Sequence, residues 1–216
     1  MVETPDVADE LTEIGDLFAA TVDERDVEST VYALLVGGDH AEHADLSRLE
    51  LSRSRLLRCV YAACDFSNTT FEDVVFEQCD FSNSNFSATY FLRCEFISCR
   101  FVGTDFSEGM LKHVGARETS FQYASFTKAG FEHCSFSECD FSQASIAEAD
   151  IKSFEASNSK FSNVDFFRTS LRDVDLSGND IAGFLVSDTM RELQGCIMDP
   201  YQAASVARKL GIVVKE

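Results

Sequence analysis

The sequence predicts an all-β solenoid, and three observations carry the prediction. Phenylalanine recurs every five residues, a small residue precedes most of these centres by two, and the period never slips. Sixteen of the 20 Phe leave remainder 1 on division by five, far above the share that chance would put there. The run reads Phe66, Phe71, Phe76, Phe81, Phe86, Phe91, Phe96, Phe101 and Phe106, resumes from Phe121 to Phe141, and returns at Phe161 and Phe166. Leu46, Leu51, Leu56, Tyr61, Leu111, Ile146, Ile151, Leu171, Leu176, Ile181 and Val186 hold the same phase, and only Ala116 and Ala156 are small there. From 46 to 186 this makes 29 units, (186 − 46)/5 + 1. A self-similar period of this kind marks a repeat architecture.

Neither common period explains the spacing. Five residues of α-helix turn through about 500°, so successive centres would wrap around it. In a flat strand, an odd step sends successive centres to opposite faces. The second phase resolves the conflict. Cys59, Cys64, Thr69, Val74, Cys79, Ser84, Thr89, Cys94, Cys99 and Thr104 each stand two residues before a centre. Residues two apart share a face of extended chain. Each unit therefore has a short extended piece with two inward side chains, and a corner must restore parity before the next. Repeated corners close the chain into coils, which stack with strands ~4.8 Å apart.

The ends differ. Residues 1–43 lack the period and are expected to form an acidic, partly helical leader. Val7, Leu11, Ile14, Leu17 and Phe18 follow helical spacing. Twelve acids against Arg25 alone put −11 of the net −19 in this segment. Residues 44–198 form the coil stack. Residues 199–216 read as a capping element, with Asp199 as N-cap and Pro200 in the first turn of a helix over 200–210 that Gly211 ends. Ile212, Val213 and Val214 read as a terminal strand. An open coil end exposes unpaired backbone. Tyr201, Val206, Leu210, Ile212 and Val213 are therefore expected to cover the last coil and to pair with a second copy in a homodimer.

Units such as CDFSN at 64–68 and 79–83, TDFSE at 104–108, CDFSQ at 139–143 and VDLSG at 174–178 resemble pentapeptide repeats. The resemblance covers about two-thirds of the chain. It implies a right-handed, four-sided β-helix with four units per coil, hence about seven coils and ~34 Å of stacked strands. FSEGMLK at 106–112 and YQAASVARKLGIVV at 201–214 are similar to strings in quinolone-resistance pentapeptide proteins of the Qnr type. That resemblance implies a DNA-mimicking protein that binds DNA gyrase and topoisomerase IV, dimerises through its C-terminal element and protects against fluoroquinolones. The alternative, from another class, is a scaffold protein with a different protein partner.

Composition narrows the chemistry. Asp and Glu number 37 against 18 Lys and Arg, which argues against direct nucleic acid binding and suits a basic protein partner. No apolar run approaches the ~20 residues of a membrane span, and the acidic start lacks the order of a signal peptide, so a cytoplasmic protein is expected. Of eight Cys, seven take the small inward phase and no C-x2-C pair occurs, so they read as core thiols, with no metal and no cofactor. His113 and His133 share an outward phase twenty residues apart, roughly 5 Å in a four-unit coil. They read as a surface pair ahead of a two-histidine metal site. No phosphate loop, G-x-S-x-G or H-E-x-x-H is present, so no catalytic residue is assigned and the chain reads as a non-enzyme.

Two surface features are singled out. Asp45, Asp65, Asp105 and Asp165 fall on one side of the stack, in a column with Asn85, Ser125 and Ser145. This stripe is the candidate partner-binding site, although Arg48, Lys128 and Arg168 lie just beyond the same centres. Tyr90, Leu92 and Met110 form a candidate apolar patch on adjacent coils, suited to the leader's helix or to a partner. In the core, Phe154 takes the small phase beside Ala156, which reads as volume compensation.

Overall fold

The computed structural model describes residues 1–22 and 30–215. Its strands stack in parallel with a register of 20 residues. Arg55 pairs with Val75, Glu95 with Gly115, and Gly115 with Ser135. Twenty residues at five per side make four sides, in about seven turns. Each coil bonds both neighbours from adjacent residues. The N–H of Asp105 donates to the Ser84 carbonyl at 3.0 Å, and that of Phe106 donates to Ser125 at 2.7 Å.

The corner that the five-residue step demands is visible in the backbone. Every fifth residue from Ala33 to Gly183 has positive φ. Glycine fills only Gly38, Gly103, Gly178 and Gly183 of these; Arg, Glu, Lys and His stand at others. A left-handed non-glycine residue costs about 1–2 kcal/mol. The continuous ladder and core offset that cost, since an unformed corner would turn the next centre out of the core.

The centres fill the interior as stacked columns. Rings of Phe66, Phe86, Phe106 and Phe126 follow one another at 4.7, 5.4 and 4.7 Å, and those of Phe101, Phe121, Phe141 and Phe161 at 5.4, 4.8 and 5.0 Å. The small phase is more than a space-filler. Thr89 Oγ1 donates to the Phe66 carbonyl at 2.8 Å, Ser84 Oγ to Tyr61 at 2.7 Å, and Cys94 Sγ to Phe71 at 3.4 Å. Each such side chain reaches the carbonyl of a centre in the preceding coil. This explains why Ser, Thr and Cys recur there: they satisfy acceptors that the tight stack keeps from water.

The ends depart from the sequence reading. Strands Thr30–Tyr32, Leu34–Gly37 and His40–Glu42 pair with Glu50–Ser52, Arg55–Leu57 and Val60–Ala62. Residues 30–43 thus belong to the first coil, not to a leader ending at 43. The helical spacing of Val7, Leu11, Ile14, Leu17 and Phe18 is not one helix either. Thr12–Ile14 is a strand paired with Leu34–Val36, and only Leu17–Val22 is helical (α1). The first coil would otherwise present a bare strand edge, and pairing outweighs helical spacing there. Leu17 is fully buried, and Asp39 accepts its N–H at 2.8 Å and the Tyr61 hydroxyl at 2.6 Å. Arg25 and the acids Asp23, Glu24, Asp26 and Glu28 lie outside the described residues.

At the other end the helix is Pro200–Lys209 (α2). Asp199 accepts the N–H groups of Tyr201 and Gln202 at 2.8 and 2.9 Å, and Gln202 Oε1 accepts the Asp199 N–H, a complete capping box. Ile212–Val214 is not a strand, contrary to expectation. The Ile212 N–H donates back to Ala207 at 3.0 Å, so the chain folds against its own helix instead of pairing. Among the described residues no helix is long and apolar enough to cross a membrane.

Candidate functional site

The acidic stripe is in register. Bridges run Asp45–Asp65, Asp65–Asn85, Asn85–Asp105, Asp105–Ser125, Ser125–Ser145 and Ser145–Asp165. In each of the four aspartates Oδ1 accepts the N–H two residues on, at 3.0 Å for Ser47 and 2.9 Å for Ser67, Ser107 and Phe167. Asn85 makes the same bond to Ser87 at 2.9 Å. Asp80, Asp140, Asp175 and Asp180 make it on other sides of the stack. Aspartate before a centre therefore has a turn-forming role wherever it occurs. Among the opposing charges, Arg168 lies 3.5 Å from Glu148 and over the Phe167 ring.

The C-terminal residues divide into two layers. Gln202 Nε2 donates to the carbonyls of Leu176 and Asn179, both at 2.8 Å, and Val206 packs on the core, so these two close the last coil. Tyr201, Leu210, Ile212 and Val213 face outward, Tyr201 and Val213 almost fully at 88% and 86% exposure. Exposed Leu185 and Ile197 lie at the same end.

The apolar patch is quieter. Tyr90 pairs with Met110 and Leu92 with Lys112 across adjacent coils, and all three patch residues are half-buried. A Cβ on Gly130 would fall 2.5 Å from Met110 Cε, so the methionine lies over the glycine of the next coil. Helix α1 docks on the first coil through Leu17 and does not cover this patch.

The histidine rings stack at 5.0 Å, 19° from parallel, as the twenty-residue spacing implies. They are not a plain surface pair. The His113 side chain is only 12% exposed, and the leader supplies it with a partner that the repeat phase could not reveal. The Glu3 N–H donates to His113 Nδ1 at 3.2 Å, and the Glu3 carboxylate lies 3.8 Å from Nε2. Nearly parallel rings at this spacing aim their lone pairs side by side instead of converging, and no set of three metal-ligating side chains occurs among the described residues.

Residues 69–139 match the model of a pentapeptide repeat region. The fold is that of a pentapeptide-repeat solenoid. Among solved structures, a trypsin-treated variant of QnrB1, a plasmid-mediated fluoroquinolone resistance protein, is similar at 23% identity and a TM-score of 0.62, over 88% of this chain and 94% of the other. A second trypsin-treated QnrB1 variant is similar at 20% identity and a TM-score of 0.54, over 96% and 99%. A search of curated protein sequences finds no match.

In this pentapeptide solenoid the cysteines are core groups. All eight are free, seven are buried, and Cys196 is half-buried. Burial pushes the Cys94 and Cys134 thiols up to about 12 and Cys139 and Cys196 to about 11. Cys99 moves down, because Cys79 bonds to it, yet it is equally buried. Thiolate is the reactive form, so protonation and burial together oppose reaction at the raised thiols, and burial alone opposes it at Cys99. An aromatic disulfide reagent is expected to modify none of the seven buried thiols in the native protein and all eight after unfolding. Added reductant is expected to leave Tm unchanged; a loss of several degrees would reveal a disulfide.

Proposed function

We propose that this protein is a DNA mimic that binds a type II topoisomerase, DNA gyrase or topoisomerase IV, and lowers fluoroquinolone sensitivity. It acts by occupancy in the cytoplasm, as a homodimer, with no turnover and no cofactor. The observation that carries the reading is the in-register column Asp45, Asp65, Asp105 and Asp165 on a rod whose fold is that of a fluoroquinolone resistance protein. Carboxylates repeating at one or two coil spacings offer a Lys- and Arg-lined saddle a line of charge like that of a groove edge. The apolar outer layer of the C-terminal element supports the dimer. The deciding experiment is gyrase supercoiling with and without ciprofloxacin across a protein titration. Restored supercoiling is expected; the absence of both rescue and inhibition would overturn the reading.

A scaffold role for some other protein partner is the second reading. It is favoured by the turn-forming bond that stripe aspartates share with Asp80, Asp140, Asp175 and Asp180. The two readings differ in salt dependence. Topoisomerase binding should weaken steeply with salt, and Asp65→Asn with Asp105→Asn should flatten that slope. These substitutions remove charge and spare the corner, as Asn85 demonstrates by making the same turn bond. A slope flattened only by deleting residues 1–22 would move the contact to the leader. A slope untouched by either change would end the mimicry mechanism.

A further inference from the structure

The leader's first residues run in extended form along one corner column of the stack, Arg53, Asp73, Arg93 and His113. The Ala8 N–H donates to the Arg53 carbonyl at 3.1 Å, and Arg53 Nε donates to the Asp6 carbonyl at 3.0 Å. The Asp6 carboxylate lies 3.3 Å from the Arg53 guanidinium, and the Asp6 N–H donates to Asp73 Oδ1 at 3.0 Å. Asp73 is itself held by Arg93 at 2.7 Å. Burial pushes the Asp73 carboxyl up, but its bonds to Arg93 and to the Asp6 N–H hold it below the ordinary carboxylate value. The strap then crosses to His113, and Val2 and Thr4 close a groove of about 220 Å³ beside Gly115, Ala116 and Ser135. Ala116 stands where most units carry a large centre, so this side of the stack offers a shelf.

We propose that His113 is the latch of a pH-gated strap: neutral His113 holds residues 2–4 over the Gly115–Ala116 shelf, and its protonation frees them. The Glu3 N–H needs a lone pair on Nδ1. A proton there sets donor against donor, and the bond is lost. His133, stacked above, presses the same way. Its Nδ1 is buried with no hydrogen-bond partner among the described residues, and its ring lies 5.0 Å from that of His113, so charging both rings sets like charges side by side. The charged groups around the pair are Glu3 on the strap, Arg93 with Asp73 and Glu72 in the coil below, and the Lys112–Glu132 pair on the neighbouring strands. Glu3 attracts a charged His113, but its side chain is 61% exposed and the attraction is screened; Arg93 repels it. The anchors at Asp6 and Ala8 are backbone N–H and carbonyl bonds to Arg53 and Asp73. Acid therefore frees residues 2–4 and leaves the anchor in place, uncovering the shelf on the side opposite the acidic stripe.

The test is backbone amide relaxation in the full 216-residue chain, at about pH 7.5 and about pH 5.5, on either side of the ordinary histidine range. Glu3 is expected to have an order parameter near about 0.85 at the higher pH and below about 0.6 at the lower, while Asp6 and Ala8 stay rigid. The midpoint should coincide with the titration of the His113 ring in the same samples. His113→Asn keeps an acceptor where Nδ1 was and suits the +52° φ of this corner, so it should hold Glu3 rigid at both pH values. Glu3 mobile at pH 7.5, rigid at both pH values in the unmodified chain, or released at a midpoint away from the His113 titration would overturn the latch. So would a pH response that persists in His113→Asn.

Discussion

Phe154→Ala is expected to destabilise the protein by about 3–5 kcal/mol, the range for truncation of a buried phenylalanine. Phe154 stands in the small phase, where most other units carry Cys, Ser, Thr, Ala or Val. Its ring nevertheless lies inside the stack, 4.9 Å from Phe136, 5.6 Å from Phe131 and 6.2 Å from Phe161. The adjacent centre is Ala156, which has no side chain to swing into the space. Neighbouring coils are tied by the ladder on both sides, so the backbone cannot close the gap without breaking register. The cavity should therefore persist, and its cost adds to the lost transfer energy. Phe154→Leu, which refills part of the volume, should cost clearly less. Phe167→Ala is the control: that residue is exposed at 38% and has Arg168 over its ring, so the loss should stay under about 1 kcal/mol. Denaturant melts of the three variants measure the order. A near-neutral Phe154→Ala would mean that the Ala156 coil collapses and that Phe154 does not compensate for it.

The stack was legible because its physics is local and repeated. A left-handed corner every five residues, an inward centre and an inward small residue are all properties of five residues at a time, and the sequence restates them 29 times. The first coil was missed for a related reason. Val31, Val36 and Ala41 continue the centre phase, but Ala41 is small and Gly37-Gly38 interrupts the polar pattern, so the period stands out only from Leu46. The strand Thr12–Ile14 was unreadable in principle from periodicity. It forms because a coil end offers it a partner, which is a property of the whole stack. The same holds for the histidines: spacing set the stacking of His113 on His133, whereas the contact with Glu3 joins residues 110 positions apart. The stripe was legible as a column but not as a site. Its aspartates are placed by turn chemistry, and turn chemistry alone does not distinguish a binding face from any other.

Tyr201→Glu with Val213→Glu is expected to halve the mass of the particle in light scattering while leaving the solenoid folded. The two side chains are the most exposed large apolar groups of the C-terminal element, and Leu210 and Ile212 lie exposed with them. Four such residues on one short element form the kind of patch that soluble chains bury against a copy. Charges placed at its centre would face each other across a two-fold axis, so each copy contributes twice to the repulsion. The inner layer is untouched by this double substitution. Asp199 still caps the helix, Gln202 still satisfies Leu176 and Asn179, and Lys209 still donates to the Phe184 carbonyl. Truncation after Asp199 is the harsher counterpart. It removes Gln202 and Val206 along with the outer layer, so the Asn179 carbonyl loses its donor, the Leu176 carbonyl keeps those from Asn179, and the last coil is opened. Aggregation is expected there in place of a clean monomer, because an uncovered coil end is a template for strand pairing. The pair of experiments separates capping from association. A Tyr201→Glu, Val213→Glu protein that remains a dimer would show that copies meet through another surface. A truncated chain that stays monodisperse would show that the helix does not protect the coil end.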